Sequence, residues 1–421
     1  MASHSSRSAL EKSGHAIDTW VDARRDMLIS LVQELVQLPS RNHPPDGDEL
    51  AAQRVIGHWL RQLGVEVDQY DIMAVENIDK HPAWRALGRH YQDRPNLMAV
   101  LRGVGKGRSL LYTGHIDTVA LDSSPWRHKP FGGEYDGRAI YGLGAFDMKG
   151  GLAAGLMAMR GFIELGIVLL GSLYFESVVD EEFGGANASL AGRLRYPEID
   201  GAILMEPTNL KLASQHRGTS VWNLLVTGLP GRTFSGETTF NPAKSLAAML
   251  SSLDDFFNAH PRLNQYPWEV DRLKAGPADQ PMGTRVPAQA EAVFWVETGA
   301  DDNPDVGEEI NAWLSRQFPD VEYKLTPMIP PLLGSGISPD HPLAQDVAQS
   351  ARDLGVNGDM VTAPFACDGA MFNRFSKTPL VLLGPEGGNA HGADEYVIVD
   401  SLMTLTKILM RTACSWCGMA D

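Results

Sequence analysis

Five short segments of the chain carry residue types that bind divalent cations and put them to use. The first is Gly114-His115-Ile116-Asp117. An imidazole that ligates a metal through one ring nitrogen needs an acceptor at the other. Asp117 is near enough in sequence to be that acceptor or to orient the loop locally. The second runs from Gly142 to Gly151 and reads G-L-G-A-F-D-M-K-G-G. Its glycines allow backbone to approach a site closely, and Asp147 stands at the start of a helix, where a carboxylate is favoured. A carboxylate fixed at a loop exit suits the bridging of two cations; it also suits a simple helix cap. The segment has no G-x-G-x-x-G and no Gly-Lys-Ser/Thr, which argues against a nucleotide loop.

The third segment is Asp180-Glu181-Glu182-Phe183-Gly184-Gly185. Three adjacent carboxylates after an apolar strand repel one another, and either solvation of the turn or a bound cation relieves this. Metal-assisted hydrolysis needs one carboxylate as ligand and another, unliganded, as proton shuttle; neighbours on one loop can supply both. The fourth is Glu206-Pro207-Thr208. The fifth is His391, within Gly387-Gly388-Asn389-Ala390-His391-Gly392-Ala393-Asp394-Glu395.

The elements that would position these segments are readable from hydrophobic period. Ile17–Leu38 and Glu49–Leu63 have helical spacing, the second stopping at Gly64. Leu97–Leu101, Leu110–Thr113, Leu173–Val179, Ala202–Met205 and Leu380–Leu383 read as buried strands, and Gly151–Leu165 as a helix rich in small residues. This alternation predicts an α/β domain with a mostly parallel central sheet. All five segments fall at or beyond the ends of predicted strands, where open α/β sheets bind ligands. The middle of the chain has another rhythm: strand Val221–Thr227, helix Pro242–Phe257, strand Ala290–Thr298, helix Pro304–Phe318 and strand Val321–Leu325. It predicts a two-layer α/β sandwich inserted at 217–330 between catalytic-domain halves 1–216 and 331–421, with Pro- and Gly-rich Thr326–Pro339 marking the return.

Composition narrows the function classes. The chain has 421 residues, 43% hydrophobic and 21% charged, which suits two folded domains rather than a disordered or fibrous protein. A formal net charge of −16 disfavours nucleic acid and anionic membranes as partners. No apolar stretch is long enough to span a bilayer, and Met1–Lys12 lacks the apolar core of a signal peptide. Three cysteines make no disulfide framework, so a reducing, cytoplasmic location is expected. Cys414 and Cys417 form a C-x-x-C at the end of an apolar helical pattern and read as packing residues.

Taken in order, H-x-D, G-x-G-x-x-D-M-K-G-G, D-E-E-x-G-G, E-P-T and a late histidine resemble the M20 metallopeptidases, which include carboxypeptidases, aminoacylases and acetylornithine or succinyl-diaminopimelate deacylases. The resemblance runs from about Leu31 to Ile408 and implies a metal-dependent exopeptidase-like catalytic domain with an inserted lid and dimerisation domain. It implies two divalent ions per subunit. Asp147 bridges them, His115 and Glu206 complete one position, and Glu182 and His391 the other. Asp117 supports His115, and Glu181 takes a proton from water held by the metals and passes it to the leaving nitrogen. Imidazole with carboxylate suits zinc, and also manganese or cobalt. The implied activity is hydrolysis of a carbon–nitrogen bond in a small molecule by a homodimer, with an N-acyl amino acid deacylase as the leading reading. A non-catalytic metal scaffold would not need Glu181 beside a full ligand set.

The substrate side departs from the family pattern. Where the lid usually carries a histidine after a V-x-G strand, this chain has Val226-Thr227-Gly228-Leu229-Pro230-Gly231-Arg232-Thr233-Phe234-Ser235. The nearest matches to the family's N-x-x-P and D-x-R are Thr284-Arg285-Val286-Pro287 and Trp295-Val296-Glu297, and Cys367-Asp368-Gly369-Ala370 lacks a usual arginine. Arg232 and Arg285 could instead hold a carboxylate, and Phe234 could pack on a ring. That set is also compatible with an outlier similar to 5-nitroanthranilate aminohydrolase, which releases ammonia from an aromatic amine.

Overall fold

The computed structural model describes residues 4–121, 123–232, 236–276 and 285–420, with side chains from residue 12 onward. The chain divides into two compact units. One comprises Met1–Gln215, Gly336–Ala363 and Asp368–Asp421; the other comprises His216–Ser335 with Pro364–Cys367.

The first unit is a mixed sheet carrying helices. Its middle is parallel: Leu380–Leu382, Ala202–Leu204, Leu110–His115 and Leu173–Val178 lie side by side in that order. Asn96–Leu101 and Glu66–Tyr70 extend the sheet antiparallel at one side, and Leu212–His216 pairs antiparallel with Leu380–Leu382 at the other. Every residue of Leu110–His115 is buried, as expected of a central strand covered on both faces. Helices Gly150–Leu165 and Val399–Cys417 pack on this sheet. The small residues of the first are a packing requirement. A Cβ at Gly151 would collide with the carbonyl of Met205, and one at Gly155 would crowd Met205 and Phe175. Glycine here lets the helix start lie against the end of the strand that leads to Glu206.

Ile17–Leu38 is not one helix. The chain forms His4–Asp22 and Arg25–Gln37 with a break between them. At the break the Arg24 N–H donates to the Val21 carbonyl at 2.9 Å, and its guanidinium lies 4.4 Å from the Trp20 ring centre and bonds Glu164. The apolar period continues through both helices, so it cannot register the kink. A second, smaller antiparallel sheet joins Gly387–Gly388, Tyr396–Ile398, Ala139–Tyr141 and Glu134–Tyr135. It ties the loop bearing Asp147 to the loop bearing His391.

The second unit is a four-stranded antiparallel sheet, ordered Trp268–Ala275, Gln289–Thr298, Gly218–Thr227, Tyr323–Pro327. Burial alternates strictly along Gly218–Thr227, placing Trp222, Leu224 and Val226 in a core with Leu246, Met249 and Leu253 of helix Pro242–Ala259 and Ile310 and Leu314 of helix Gly307–Gln317. The first helix is capped by the Asn241 side chain, which accepts from the Ala243 N–H, with Pro242 in the first turn. The strand Trp268–Ala275 was not expected from sequence. W-E-V-D-R-L-K-A is exposed over nearly its whole length, so no buried face imposes a pattern.

Candidate metal centre

The parallel strands deliver their carboxyl ends to one place. His115 is the last residue of its strand. Its Nδ1 lies 2.9 Å from the main-chain oxygen of Asp117, which can only accept, so Nδ1 carries the proton and Nε2 faces the site. The Asp117 carboxylate is farther, 3.6 Å from Nδ1. Its main engagement is with the acidic turn. Oδ2 accepts from the N–H groups of Glu181 and Glu182 at 3.0 and 3.1 Å and from Asn42 Nδ2 at 3.0 Å. Asp117 therefore links the histidine loop to that turn.

Asp147 sits between the two histidines. Its Oδ1 is 3.1 Å from His115 Nε2 and its Oδ2 is 3.2 Å from His391 Nε2. Two imidazoles hold its carboxyl well below the usual range against the opposing effect of burial. His391 Nε2 also lies 2.8 Å from Glu182 Oε2, and the charge of Glu182 is the main reason that His391 is pushed up to about 12. Glu206 Oε1 lies 3.8 Å and Glu181 Oε2 4.0 Å from His115 Nε2. Burial penalises the charged His115 ring, yet Glu206, Asp117 and Asp147 around it outweigh this and raise it.

The donor set fits divalent cations. Ligand atoms of His115, Asp147 and Glu182 lie within 4.8 Å of one another. Glu182 Oε1 and Glu206 Oε1 are buried without a hydrogen-bond partner among the described residues. Burial pushes Glu206 up to about 7, raises Glu182, and raises Glu181 well above the usual range. Buried carboxylates crowded in this way are relieved by positive charge.

Several supporting residues gave no signal in the sequence. Tyr91 donates to Asp180 Oδ2 at 2.7 Å, and Asn42 to Asp180 Oδ1 at 3.2 Å. Arg85 Nε donates to the carbonyl of Gly184 at 2.5 Å and Arg89 to that of Phe183 at 3.0 Å, so two arginines from one segment grip the acidic turn. Asp180 and His391 are both held at positive φ, 61° and 62°, a conformation that costs non-glycine residues about 1–3 kcal/mol and clusters at functional sites. A Cβ at Gly384 would strike the main chain of Glu206, so this glycine lets the segment leading to His391 pass the end of the neighbouring strand. Buried Asp368 accepts from Ser189 at 2.5 Å and is pushed up to about 7 by burial.

In the second unit, Gly231–Arg232 pairs antiparallel with Arg285–Val286, and Arg232 and Arg285 are register partners. Both are exposed. Phe234 lies outside the described residues.

The model of peptidase family M20/M25/M40 matches residues 111–415. The chain belongs to this family. It is a metallohydrolase acting on carbon–nitrogen bonds, of a family that hydrolyses amide bonds of acyl or peptide substrates. It is 28% identical over 408 residues to succinyl-diaminopimelate desuccinylase of Methylobacterium radiotolerans, covering 92% of this chain and 96% of that protein. It is 35% identical over 205 residues to N-formyl-4-amino-5-aminomethyl-2-methylpyrimidine deformylase of Halalkalibacterium halodurans; that match spans 48% of this chain and 43% of the relative. In fold it is similar to a dinuclear metal-binding M20 peptidase of Bacillus subtilis, with a TM-score of 0.61, 16% identity, and coverage of 95% of this chain and 100% of that one. No described helix is long and apolar enough to cross a membrane.

Proposed function

We propose that this M20 hydrolase removes the acyl group from a small, carboxylate-bearing N-acyl amino compound, with two divalent ions held by five side chains. Asp147, between the two histidines, would be shared by the ions, with His115 and Glu206 as the donors on one side of it and Glu182 and His391 as those on the other. The observation carrying this reading is the placement of the Asp147 carboxylate, one oxygen 3.1 Å from His115 and the other 3.2 Å from His391. Zinc is the first choice for this donor set, with manganese and cobalt also compatible. When bound, the ions supply Lewis acidity, polarising the scissile carbonyl and lowering the pKa of water.

The chain's own residues do the rest. Glu181 belongs to neither ligand group yet lies beside His115, where it takes the proton of the attacking water and delivers it to the leaving nitrogen. Asp117 fixes the backbone of Glu181 and Glu182, so base and ligand keep their separation. Arg232 and Arg285, opposite one another on a ribbon, hold the substrate carboxylate. The second unit is also proposed as the surface of a homodimer.

The desuccinylase and deformylase relatives are named for acyl groups removed from nitrogen, which favours an amide over an aromatic amine as the scissile group. The test is a screen of metal-loaded enzyme on N-acyl amino acids, dipeptides and aminobenzoates, reading free amine and ammonia separately. Amine release from an N-acyl amino acid is the expected result. Ammonia release from an aminobenzoate, with acyl compounds untouched, would replace the deacylase reading with the aminohydrolase one.

A further inference from the structure

Glu395 lies four residues after His391, just before the strand Tyr396–Ile398, and is 1% exposed. Its carboxylate has no cationic side chain bonded to it among the described residues. Instead it accepts three main-chain hydrogen bonds: Oε2 from Gly144 N–H at 2.9 Å, and Oε1 from Phe146 N–H at 2.8 Å and Asp147 N–H at 2.9 Å. Its own carbonyl accepts a fourth, from Gly142 N–H at 2.9 Å. All four come from the loop that presents Asp147. That loop follows no regular helix: Gly144 has φ 79°, and Asp147 and Met148 have non-helical backbone angles. Local propensity therefore does not set the direction of the Asp147 side chain. A buried carboxylate that accepts from residues 144, 146 and 147 does.

We infer that Glu395 is a positioning residue for the metal centre, which fixes the Asp147 carboxylate relative to His391 by clamping the 142–147 loop to the loop that carries His391. The inference rests on the proposed two-metal reading. The geometry supports it from both sides. Glu395 directly precedes the strand Tyr396–Ile398, which pairs with Ala139–Tyr141, so its loop is already registered against the strand that leads into Gly142. On the other side of His391, Asn389 Nδ2 donates to the carbonyl of Asp394 at 3.2 Å, and Asp394 Oδ1 accepts from the N–H groups of Arg127 and His128 at 2.8 and 3.0 Å. The Asn389 bond closes the segment on itself, Asp394 and Glu395 tie its end to other loops, and Gly387–Gly388 before it pairs with Tyr396 and Val397. A shift of the Asp147 backbone would move both of its oxygens, and so both cation positions at once. A side chain that supports a ligand in this way typically costs about 10–100-fold in metal affinity when changed.

Glu395→Gln tests this. Glutamine fills the same space but has one acceptor oxygen, and its NH₂ would face amide N–H groups. The measurements are zinc and cobalt(II) affinity by competition with a chelating dye, the visible spectrum of the cobalt-loaded protein, and the melting temperature of the metal-free protein. The expected result is roughly 10–100-fold weaker binding of both ions and a changed cobalt spectrum, with the metal-free melting temperature near wild type. Glu395→Asp, which keeps both carboxyl oxygens but shortens the reach, should fall between wild type and the glutamine variant, and it carries the test if the glutamine variant does not fold. Wild-type affinity and an unchanged cobalt spectrum in both variants overturn the inference, even if melting temperature falls. Wild-type protein that takes up no divalent ion overturns the two-metal reading, and the inference with it.

Discussion

At the scale of single residues, adjacent carboxylates on one turn have different neighbours. Glu182 lies 2.8 Å from His391, inside the cluster that can hold a cation, whereas the Glu181 carboxylate, 4.0 Å from His115, has no comparably close ion pair among the described residues. Glu181→Gln should therefore keep the metal and lose the proton shuttle. Metal content per subunit should match wild type while kcat drops by about a hundredfold or more; a variant with the wild-type rate removes Glu181 from the chemistry. The histidines should behave oppositely. His115→Ala and His391→Ala should each lower metal content, because each removes a neutral donor from a group of carboxylates that a cation must hold together. Elemental analysis of dialysed protein reads this directly, and unchanged content in both variants would take these residues out of the site. The candidate site residues were legible in the sequence because their types are distinctive and fall at or beyond strand ends. Their partners were not. Nothing in local sequence tells that Asp117 accepts from the acidic turn rather than bonding His115 through its carboxylate, since that depends on two strands lying adjacent and parallel.

At the scale of elements, the central strands and the small-residue helix were readable because burial on both faces demands continuous apolar or small residues. What stayed hidden depends on polar contacts or on exposure. The strand Trp268–Ala275 has no buried face to read. The segment from Arg85 to Arg94 has no periodic pattern, yet it forms the wall behind the acidic turn. Arg94 shows what this wall costs. It bonds Glu49 through Nε and Nη2 at 2.9 and 2.5 Å, and both side chains are buried. Burial pushes Glu49 up to about 7 in spite of Arg94. The folded state thus holds a proton on Glu49 that the unfolded chain releases near its ordinary value, so this group's contribution to stability declines as pH rises between about 4.5 and about 7. Arg94→Ala leaves the carboxyl buried without its guanidinium and should destabilise the protein more at about pH 8, where wild-type Glu49 is ionised, than near neutral pH, where it is about half protonated. The deficit should shrink toward about pH 5, where Glu49 is protonated. Urea denaturation of both proteins at about pH 5 and about pH 8 checks it; a deficit that is equal at both values would mean that the lost charge pair is not the cause.

At the scale of the whole molecule, the net charge of −16 sets a problem for any anionic substrate. Screening confines each exposed charge to about 8 Å at physiological salt, so the overall field can repel an anion while a local cationic patch still binds it. The proposed reading places such a patch at Arg232 and Arg285, register partners on paired strands, where Glu237 Oε2 also accepts from the Arg232 N–H at 2.8 Å. Each arginine changed to alanine should raise KM with little change in kcat, since a carboxylate held away from the scissile bond is bound alike in ground and transition states. A charge-assisted hydrogen bond is worth about 1.5–3 kcal/mol, which sets the loss in kcat/KM at roughly tenfold to a hundredfold per residue. Because the two face each other, a shared carboxylate predicts more than the size of each effect. The second substitution should cost less once the first is made, so the double variant should fall short of the product of the singles. Independent, multiplying losses would mean that the arginines contact separate groups. Normal kinetics in both single variants at unchanged metal content would place the carboxylate anchor elsewhere.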